Sequence, residues 1–297
     1  MINCKQWVAQ NVGQLDGKRV AIFGATGGIG GELCRYILQL GATLITIDRN
    51  PAKAATLRQK LATEFPNSAV IQLTADLENI DTVENVCRQL ETDGVDIVIH
   101  NAGAYSIPRK ACSTGFDNVF QINFVSPYYV TARLAEHLSA RGGRVIAVGS
   151  IAHDYADTDP ADIDFSTRKQ AGLVYGNAKR YLMGALPALL QDYPNVVLAV
   201  THPGITLTNI TAHYPKWVFA CIKYPMKWLF MPPKKAALNI VQGLFDQTDA
   251  DEWIGPCLFH VWGEPSKQPL CSIPAKEREH IDRTAKEIYA ELIAATE

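Results

Sequence analysis

Short, mostly apolar runs alternate with longer stretches of helical periodicity from Arg19 to Val200. The runs are Val20–Phe23, Thr43–Ile47, Val70–Leu73, Val95–Ile99, Val145–Val148 and Val196–Val200. Runs of this kind, β-branched and not alternating, predict strands buried on both faces, as in a parallel sheet covered by helices. Between the first two, Ile29, Leu33, Ile37 and Leu40 recur at three- and four-residue steps and predict one face of an amphipathic helix. Gly41 follows at once and tolerates the positive φ with which helices often end. The βαβαβ alternation continues with no Pro/Gly/Ser-rich linker and no internal repeat. It predicts an α/β fold: an open, doubly wound, mostly parallel sheet of about seven strands, helices on both faces, in a single domain over 1–297.

Beyond Val200 the pattern changes. His202-Pro203-Gly204 predicts a turn. A helix is predicted over about Pro233–Phe245, a last strand at Cys257–Trp262, and a charged surface helix from Pro274 to about Ala294. Trp217–Met231 is apolar and aromatic but interrupted by Lys223, Pro225 and Lys227. It has three readings: a loop and helix packed over the core, a lid closing an apolar pocket, or an interfacial membrane helix. The lid is the favoured one, drawn over 209–235, because a pocket mouth must be closed somewhere.

Composition narrows the function classes. With 47% hydrophobic residues, the chain of 297 supplies a substantial core. Lys and Arg number 28 against 30 Asp and Glu, so there is no basic footprint for nucleic acid. The seven cysteines at 4, 34, 87, 112, 221, 257 and 271 form no CxxC pair, and their odd number cannot all pair within one chain. Reduced, mostly buried thiols are expected. The N-terminus lacks a basic-then-apolar leader, and no apolar run reaches the ~18 residues of a membrane span. The expected setting is the cytoplasm. No His/Cys/Asp/Glu group has zinc spacing, and no Gly-x-Ser-x-Gly elbow marks a hydrolase.

Two local patterns hold chemistry. The run Gly24-Ala25-Thr26-Gly27-Gly28-Ile29-Gly30 joins the first predicted strand to the first helix. Glycines at 24, 28 and 30 permit a tight turn and close approach to a pyrophosphate, and the helix N-terminus offers unpaired amides to the anion. Asp48 ends the second strand near the offset at which an acid binds ribose hydroxyls, which favours NAD; Arg49 beside it leaves NADP open. Tyr175 and Lys179 stand four apart and share a helix face. A phenol titrates near 10, too high for a base at neutral pH, unless a cation such as the lysine favours the phenolate.

Gly24-x-x-x-Gly28-x-Gly30, Asp76-Leu77, Asn101-Ala102-Gly103, Asn123, Ser150, Tyr175-x-x-x-Lys179 and Pro203-Gly204 occur in one order, over about Lys18 to Thr208. The ordered set resembles the short-chain dehydrogenase/reductase family. The resemblance implies a Rossmann fold and an NAD(P)-dependent interconversion of an alcohol and a carbonyl. It makes Tyr175 the acid/base, with Lys179 lowering its pKa and holding the nicotinamide ribose. Ser150 would bond the substrate oxygen, and Asn123 would hold a relay water to Lys179. Asp76 and Leu77 would contact adenine, Asn101 to Gly103 would wall the cleft, and Thr208 would bind near the carboxamide or phosphates. It also implies a homodimer or homotetramer built on helices around Asn123–Ser139 and Tyr175–Leu190.

Three departures stand out. His100 replaces the first asparagine of the usual Asn-Asn-Ala-Gly, Phe23 replaces a threonine, and Gly149 precedes Ser150. The long Ser150-to-Tyr175 interval, Ser150-Ile151-Ala152-His153, Asp164-Phe165 and His202-Pro203-Gly204 are similar to the retinol-dehydrogenase-like branch, which implies a lipophilic substrate. His100 needs no role beyond a satisfied hydrogen bond, whereas His153 has a second reading as a substrate contact. Two rival readings of the whole chain are a dinucleotide-binding sensor or scaffold and an epimerase or dehydratase using the same tyrosine. The intact Ser150, Tyr175 and Lys179 weigh against the first, and the apolar stretch after Thr208 against the second.

Overall fold

A computed structural model describes residues 3–206, 230–270 and 272–296. Its elements are α1 (Cys4–Asn11), β1 (Arg19–Phe23), α2 (Gly28–Gln39), β2 (Thr43–Asp48), α3 (Pro51–Glu64), β3 (Val70–Thr74), α4 (Ile80–Asp93) and β4 (Ile97–His100). A short turn, α5 (Asn118–Phe120), runs through a π-helical turn, Gln121–Val125, into α6 (Ser126–Ala140). Then come β5 (Arg144–Val148), a 3-10 turn at Ile151–Asp154, α7 (Ala171–Leu190), β6 (Val197–Thr201), α8 (Pro233–Gly243), β7 (Glu252–Leu258), β8 (Trp262–Pro269) and α9 (Ala275–Thr296).

The strands form one sheet in the order β3-β2-β1-β4-β5-β6-β7-β8. Pairing from β3 to β7 is parallel, and β8 returns antiparallel to β7. Two apolar layers cover the sheet. On one face, Leu33 and Ile37 of α2, Leu61 of α3 and Leu238 and Val241 of α8 pack on Val20, Ile22 and Leu44. On the other, Val83 and Leu90 of α4, Leu134 of α6, Leu182 and Leu186 of α7 and Ile281 and Ile288 of α9 pack on Ala21, Val98 and Val145. Cover on both sides of the central strands accounts for their mostly apolar runs.

The sheet has eight strands where the apolar pattern marks seven, and the difference lies at its far edge. The expected strand Cys257–Trp262 is the end of β7, a turn, and the start of β8. Phe259 and His260 occupy that turn in the left-handed region, at φ 51° and 56°. The buried part of β7 is Trp253-Ile254-Gly255-Pro256, whose Gly-Pro reads as a break. Strand β8 contains Pro265, Lys267 and Pro269 and no apolar run, as suits an edge strand that must not recruit another chain. Val95 also falls outside its expected strand; its amide donates to His137 Nε2 at 3.2 Å, before β4 begins.

Of the helices expected at a subunit contact, α7 has no exposed residue within this one chain, and α6 is more fully buried over 126–131 than over the rest of its length. Helix α9 lies over them: Ile281 packs on Gly184, and the Tyr181 hydroxyl meets His280 Nε2 at 3.0 Å. The chain's own C-terminal helix covers part of that helical face. The segment expected as a lid falls largely at 207–229, outside the described residues, as does Thr208. The ends of that segment are tied where they enter and leave, by a 2.9 Å hydrogen bond from the Met231 amide to the Ile205 carbonyl. No helix among the described residues is long and apolar enough to cross a membrane.

Candidate active site

Strands β1, β2, β4 and β5 end level: Phe23 registers with Ile47 and His100, and His100 with Ala147. The residues that follow each strand are therefore delivered to one rim. The strand order reverses between β1 and β4, and an open α/β sheet offers its crevice at such a switch point.

Gly24 leaves β1 at φ +88°, a conformation few other residues adopt, and a Cβ there would lie 2.7 Å from the Ala102 Cα. A Cβ on Gly30 would meet the Gly24 carbonyl oxygen at 2.2 Å. Asn101 locks the turn from β4, its Nδ2 donating to the Gly24 carbonyl at 2.8 Å. No side chain caps α2, so its first amides, around Gly28, Ile29 and Gly30, keep their donors for an anion. These residues, with Thr26, Gly27, Asp48, Arg49, Asp76, Leu77, Ala102 and Gly103, line a cleft of about 520 Å³.

Asp48 is buried at the end of β2. Its Oδ1 accepts from the Thr26 amide at 2.9 Å and the Thr26 hydroxyl at 2.8 Å. Its Oδ2 is buried with no hydrogen-bond partner among the described residues. Burial raises its pKa, and the Thr26 bonds work against that rise. Arg49 is 65% exposed and lies 3.6 Å from Glu78, which also takes Lys110. Asp76 Oδ1 accepts the Glu78 amide at 3.1 Å, and the Leu77 carbonyl accepts the Ser126 hydroxyl at 2.6 Å. An orphaned carboxylate oxygen, uncapped helix amides and a turn that a single Cβ would fill all fit a dinucleotide. The carboxylate suits ribose hydroxyls and the amides a pyrophosphate.

Ser150 emerges two residues beyond β5 as the N-cap of the 3-10 turn, and its Oγ accepts the Ala152 amide at 3.2 Å. Its hydroxyl hydrogen is thereby left to donate to Tyr175 or to an oxygen placed beside it. Tyr175 and Lys179 come from the first half of α7. Burial pushes the Tyr175 phenol up to about 12, and a hydrogen bond with Ser150 pulls it down. The Lys179 ammonium donates to the Val148 carbonyl at 2.7 Å and lies 5.7 Å from the Tyr175 ring centroid. Burial depresses it to about 7. The three groups are together, and they can pass a proton to or from an oxygen placed between Ser150 and Tyr175.

Other expectations divide. Asn123 is fully buried, and its amide is spent on the loop after β4: Nδ2 donates to the Ala104 and Val119 carbonyls at 2.8 Å each, and Oδ1 accepts the Ala104 amide. Pro127, four residues on, has no N–H for the Asn123 carbonyl, and a π-helical turn forms there. His100 is buried and pairs with Thr131, its Nε2 2.9 Å from the hydroxyl. That hydroxyl donates to the Pro127 carbonyl, so His100 is the donor in their bond, and no further role is needed. His153 is buried too, its Nδ1 2.8 Å from the Ser150 carbonyl and its ring edge-on to Trp253. The reading of His153 as a substrate contact gains nothing. Pro203 and Gly204 form the turn after β6, with Gly204 at φ +77° against the Val261 carbonyl.

Sequence reasoning missed Tyr105. It lines the cleft and stands edge-on to Tyr175, centroids 5.4 Å apart at 86°. Its only sequence signal is its place two residues past Asn101-Ala102-Gly103.

A doubly wound sheet with this cradle at its switch point, and a serine, tyrosine and lysine on the adjoining rim, defines an NAD(P)-dependent oxidoreductase. The sequence profile of the short chain dehydrogenase family matches residues 18–218, and the chain belongs to that family. Among curated proteins, it is 30% identical over 207 residues to short-chain dehydrogenase TIC 32 A of Brassica napus, covering 65% of each. It is 27% identical over 226 residues to retinol dehydrogenase 14 of Mus musculus, covering 71% of this chain and 68% of that one. The human polyprenol dehydrogenase is 26% identical over 232 residues, covering 74% and 70%. The matches thus span about two thirds of each relative's length. Among solved structures, an uncharacterised protein of Mycobacterium paratuberculosis superposes with a TM-score of 0.72 at 21% identity, covering 96% and 97% of the two chains. A short-chain dehydrogenase of Sphingobium yanoikuyae, solved with NADPH, gives 0.61 at 18% identity, covering 92% and 95%.

Proposed function

We propose that this protein interconverts an alcohol and a carbonyl on a lipophilic small molecule, with Tyr175 as the acid/base and NAD preferred over NADP. The observation that carries the reading is the meeting of Ser150, Tyr175 and Lys179 beside the dinucleotide cradle. The cofactor, when bound, supplies the hydride acceptor or donor; the chain supplies position and the proton. Ser150, its Oγ already accepting from Ala152, donates to the substrate oxygen and sets its distance from the Tyr175 hydroxyl. Tyr175 gives that oxygen a proton in reduction and takes one in oxidation. Lys179, held by Val148, favours the phenolate through its charge. Asn123 serves the relay through its main-chain carbonyl, since its amide is committed to Ala104 and Val119.

Three observations support the finer points. Tyr105, Ile107, Tyr155 and Leu173, none of them fully buried, gather near Tyr175 and offer an apolar surface suited to a lipophilic tail. Two relatives bear the names retinol dehydrogenase and polyprenol dehydrogenase, both for lipophilic alcohols. The unpaired Asp48 Oδ2 supports NAD, because a carboxylate there repels a 2′-phosphate.

The test is nicotinamide absorbance with NAD and NADP across alcohols from short-chain to retinoid, in wild type and Tyr175→Phe. Turnover should fall by about 10²- to 10⁴-fold in the variant with cofactor affinity kept. Turnover unchanged by the substitution would overturn the assignment of Tyr175.

A further inference from the structure

Ser150 sits on a loop whose anchor is distant in sequence. Arg180, the residue after Lys179, is 5% exposed. Its fork closes on Glu277 in the first turn of α9, with Nε to Oε1 and Nη2 to Oε2 both at 2.6 Å. Its remaining nitrogen, Nη1, donates to the His153 carbonyl at 3.1 Å. Glu277 Oε1 also accepts the Thr158 amide at 2.8 Å. One carboxylate therefore holds both ends of residues 153–158, at Thr158 directly and at His153 through Arg180.

The tie reaches Ser150 in two short steps. His153 Nδ1 lies 2.8 Å from the Ser150 carbonyl, and the His153 amide donates to the same oxygen at 3.1 Å. Gly176 lets α7 come up against this turn, where a Cβ would stand 2.2 Å from the Ala152 carbonyl oxygen. The 3-10 turn is thus packed on α7 at Gly176 and bonded one turn further along the same helix by the Arg180 guanidinium.

We propose that Arg180 and Glu277 are positioning residues that fix Ser150 against Tyr175, so that the C-terminal helix governs the rate of the chemical step. The proposal rests on the reading of Ser150 and Tyr175 as the reacting pair. A buried ion pair roughly breaks even in stability against a well-packed apolar pair, so its benefit here is geometric. Arg180 touches both α9 and the serine loop while sharing a helix turn with Lys179. A bidentate fork sets direction as well as distance, which a lysine at 180 could not do.

The experiment compares Glu277→Gln with Ile281→Ala, which loosens the same helix one turn on without touching the serine loop. Each is scored for kcat, KM, cofactor Kd and thermal midpoint. Glu277→Gln should lower kcat by roughly tenfold, as a small misplacement of a reacting group does, with cofactor Kd within about twofold. Ile281→Ala should lose as much thermal stability or more and keep its kcat. Arg180→Lys serves as the second variant and should reproduce the loss of kcat. In the Ser150→Ala background, read in single turnovers, Glu277→Gln should cost less than about twofold, because the positioned group is gone. The proposal is overturned if kcat tracks thermal stability in both helix variants, if Glu277→Gln and Arg180→Lys keep full kcat, or if the Glu277 effect is as large without the serine. Full turnover in Tyr175→Phe and Ser150→Ala would instead sink the underlying reading of the site. Loss in those two with no effect at 277 or 180 sinks this inference alone.

Discussion

The Lys179 ammonium is anchored to the Val148 carbonyl by a 2.7 Å hydrogen bond in the buried core of the site. No ion pair to Lys179 is found among the described residues, and one neutral carbonyl does not replace its lost hydration. The same anchor fixes the cation 5.7 Å from the Tyr175 ring. The chain thus holds a charge where the fold disfavours it, beside a phenol that burial also disfavours as an anion.

This gives a signed dependence of stability on pH. Burial lowers the Lys179 pKa from 10.5 to about 7 in the folded state. Between those values the unfolded chain binds more protons, so this group makes stability rise with pH; below about 7 both states are protonated and the full penalty stands. Lys179→Met removes the term. Relative to wild type, the variant should therefore be most favoured at pH 6–7 and lose that advantage steadily towards pH 10, in urea titrations across the range. A difference that stays flat with pH would show that Lys179 is not desolvated.

Cofactor choice should turn on two carboxylates of opposite effect. Asp48→Ala removes the acceptor for ribose hydroxyls and should weaken NAD by roughly tenfold, the cost of a hydrogen bond to a charged group. Glu78→Gln should leave NAD binding near wild type but strengthen NADP, because it releases Arg49 and Lys110 from their shared partner. Titration of both dinucleotides by fluorescence reads the two shifts. Equal loss of NAD and NADP in Asp48→Ala would mean that the residue supports the turn and does not select the ribose.

Two neighbouring glycines of α2 should behave oppositely. A Cβ on Gly30 would stand 2.2 Å from the Gly24 carbonyl oxygen, whereas one on Gly31 would meet nothing closer than 3.9 Å. Gly30→Ala must push the phosphate turn away from the helix, costing about 1–3 kcal/mol and dinucleotide binding with it. Gly31→Ala should be neutral or gain up to about 1 kcal/mol, since alanine is the better helix former. Thermal midpoints with and without NAD separate the cases: the ligand-induced rise disappears only in Gly30→Ala.

What the sequence showed and what it hid divide along the range of the interactions. The glycine turn, Asp48 and the Tyr175/Lys179 pair are local patterns, written within a few residues of one strand or one helix turn. Burial on two faces gave the parallel strands their apolar runs. Strand β8 left no such trace, because an edge strand with Pro265 and Pro269 satisfies the opposite requirement. Arg180 and Glu277 meet across 97 residues, and no periodicity marks a pair joined only by the final packing of α9 on α7. Asn123 was pointed to by the family resemblance alone, and its bonds to Ala104 and Val119 depend on how the loop after β4 folds back.

The substrate side can be tested through Tyr155. Its ring is 54% exposed, just past the 3-10 turn. A Cβ on Gly172 would touch that ring at 3.6 Å, with the Tyr105 hydroxyl oxygen 4.0 Å away. So exposed a ring adds little to the fold, and Tyr155→Ala should change stability by no more than about 0.5 kcal/mol. For a lipophilic substrate that covers the ring, the loss of roughly 50 Å² of contact at about 25 cal/mol per Å² is about 1.2 kcal/mol, near tenfold in affinity. KM for a retinoid or long-chain alcohol should therefore rise by about five- to tenfold, while kcat and the KM for a short alcohol hold. A short alcohol never reaches the ring, so it reports on the chemistry alone. If KM rises equally for short and long alcohols, Tyr155 is shaping the reacting centre and the apolar surface lies elsewhere.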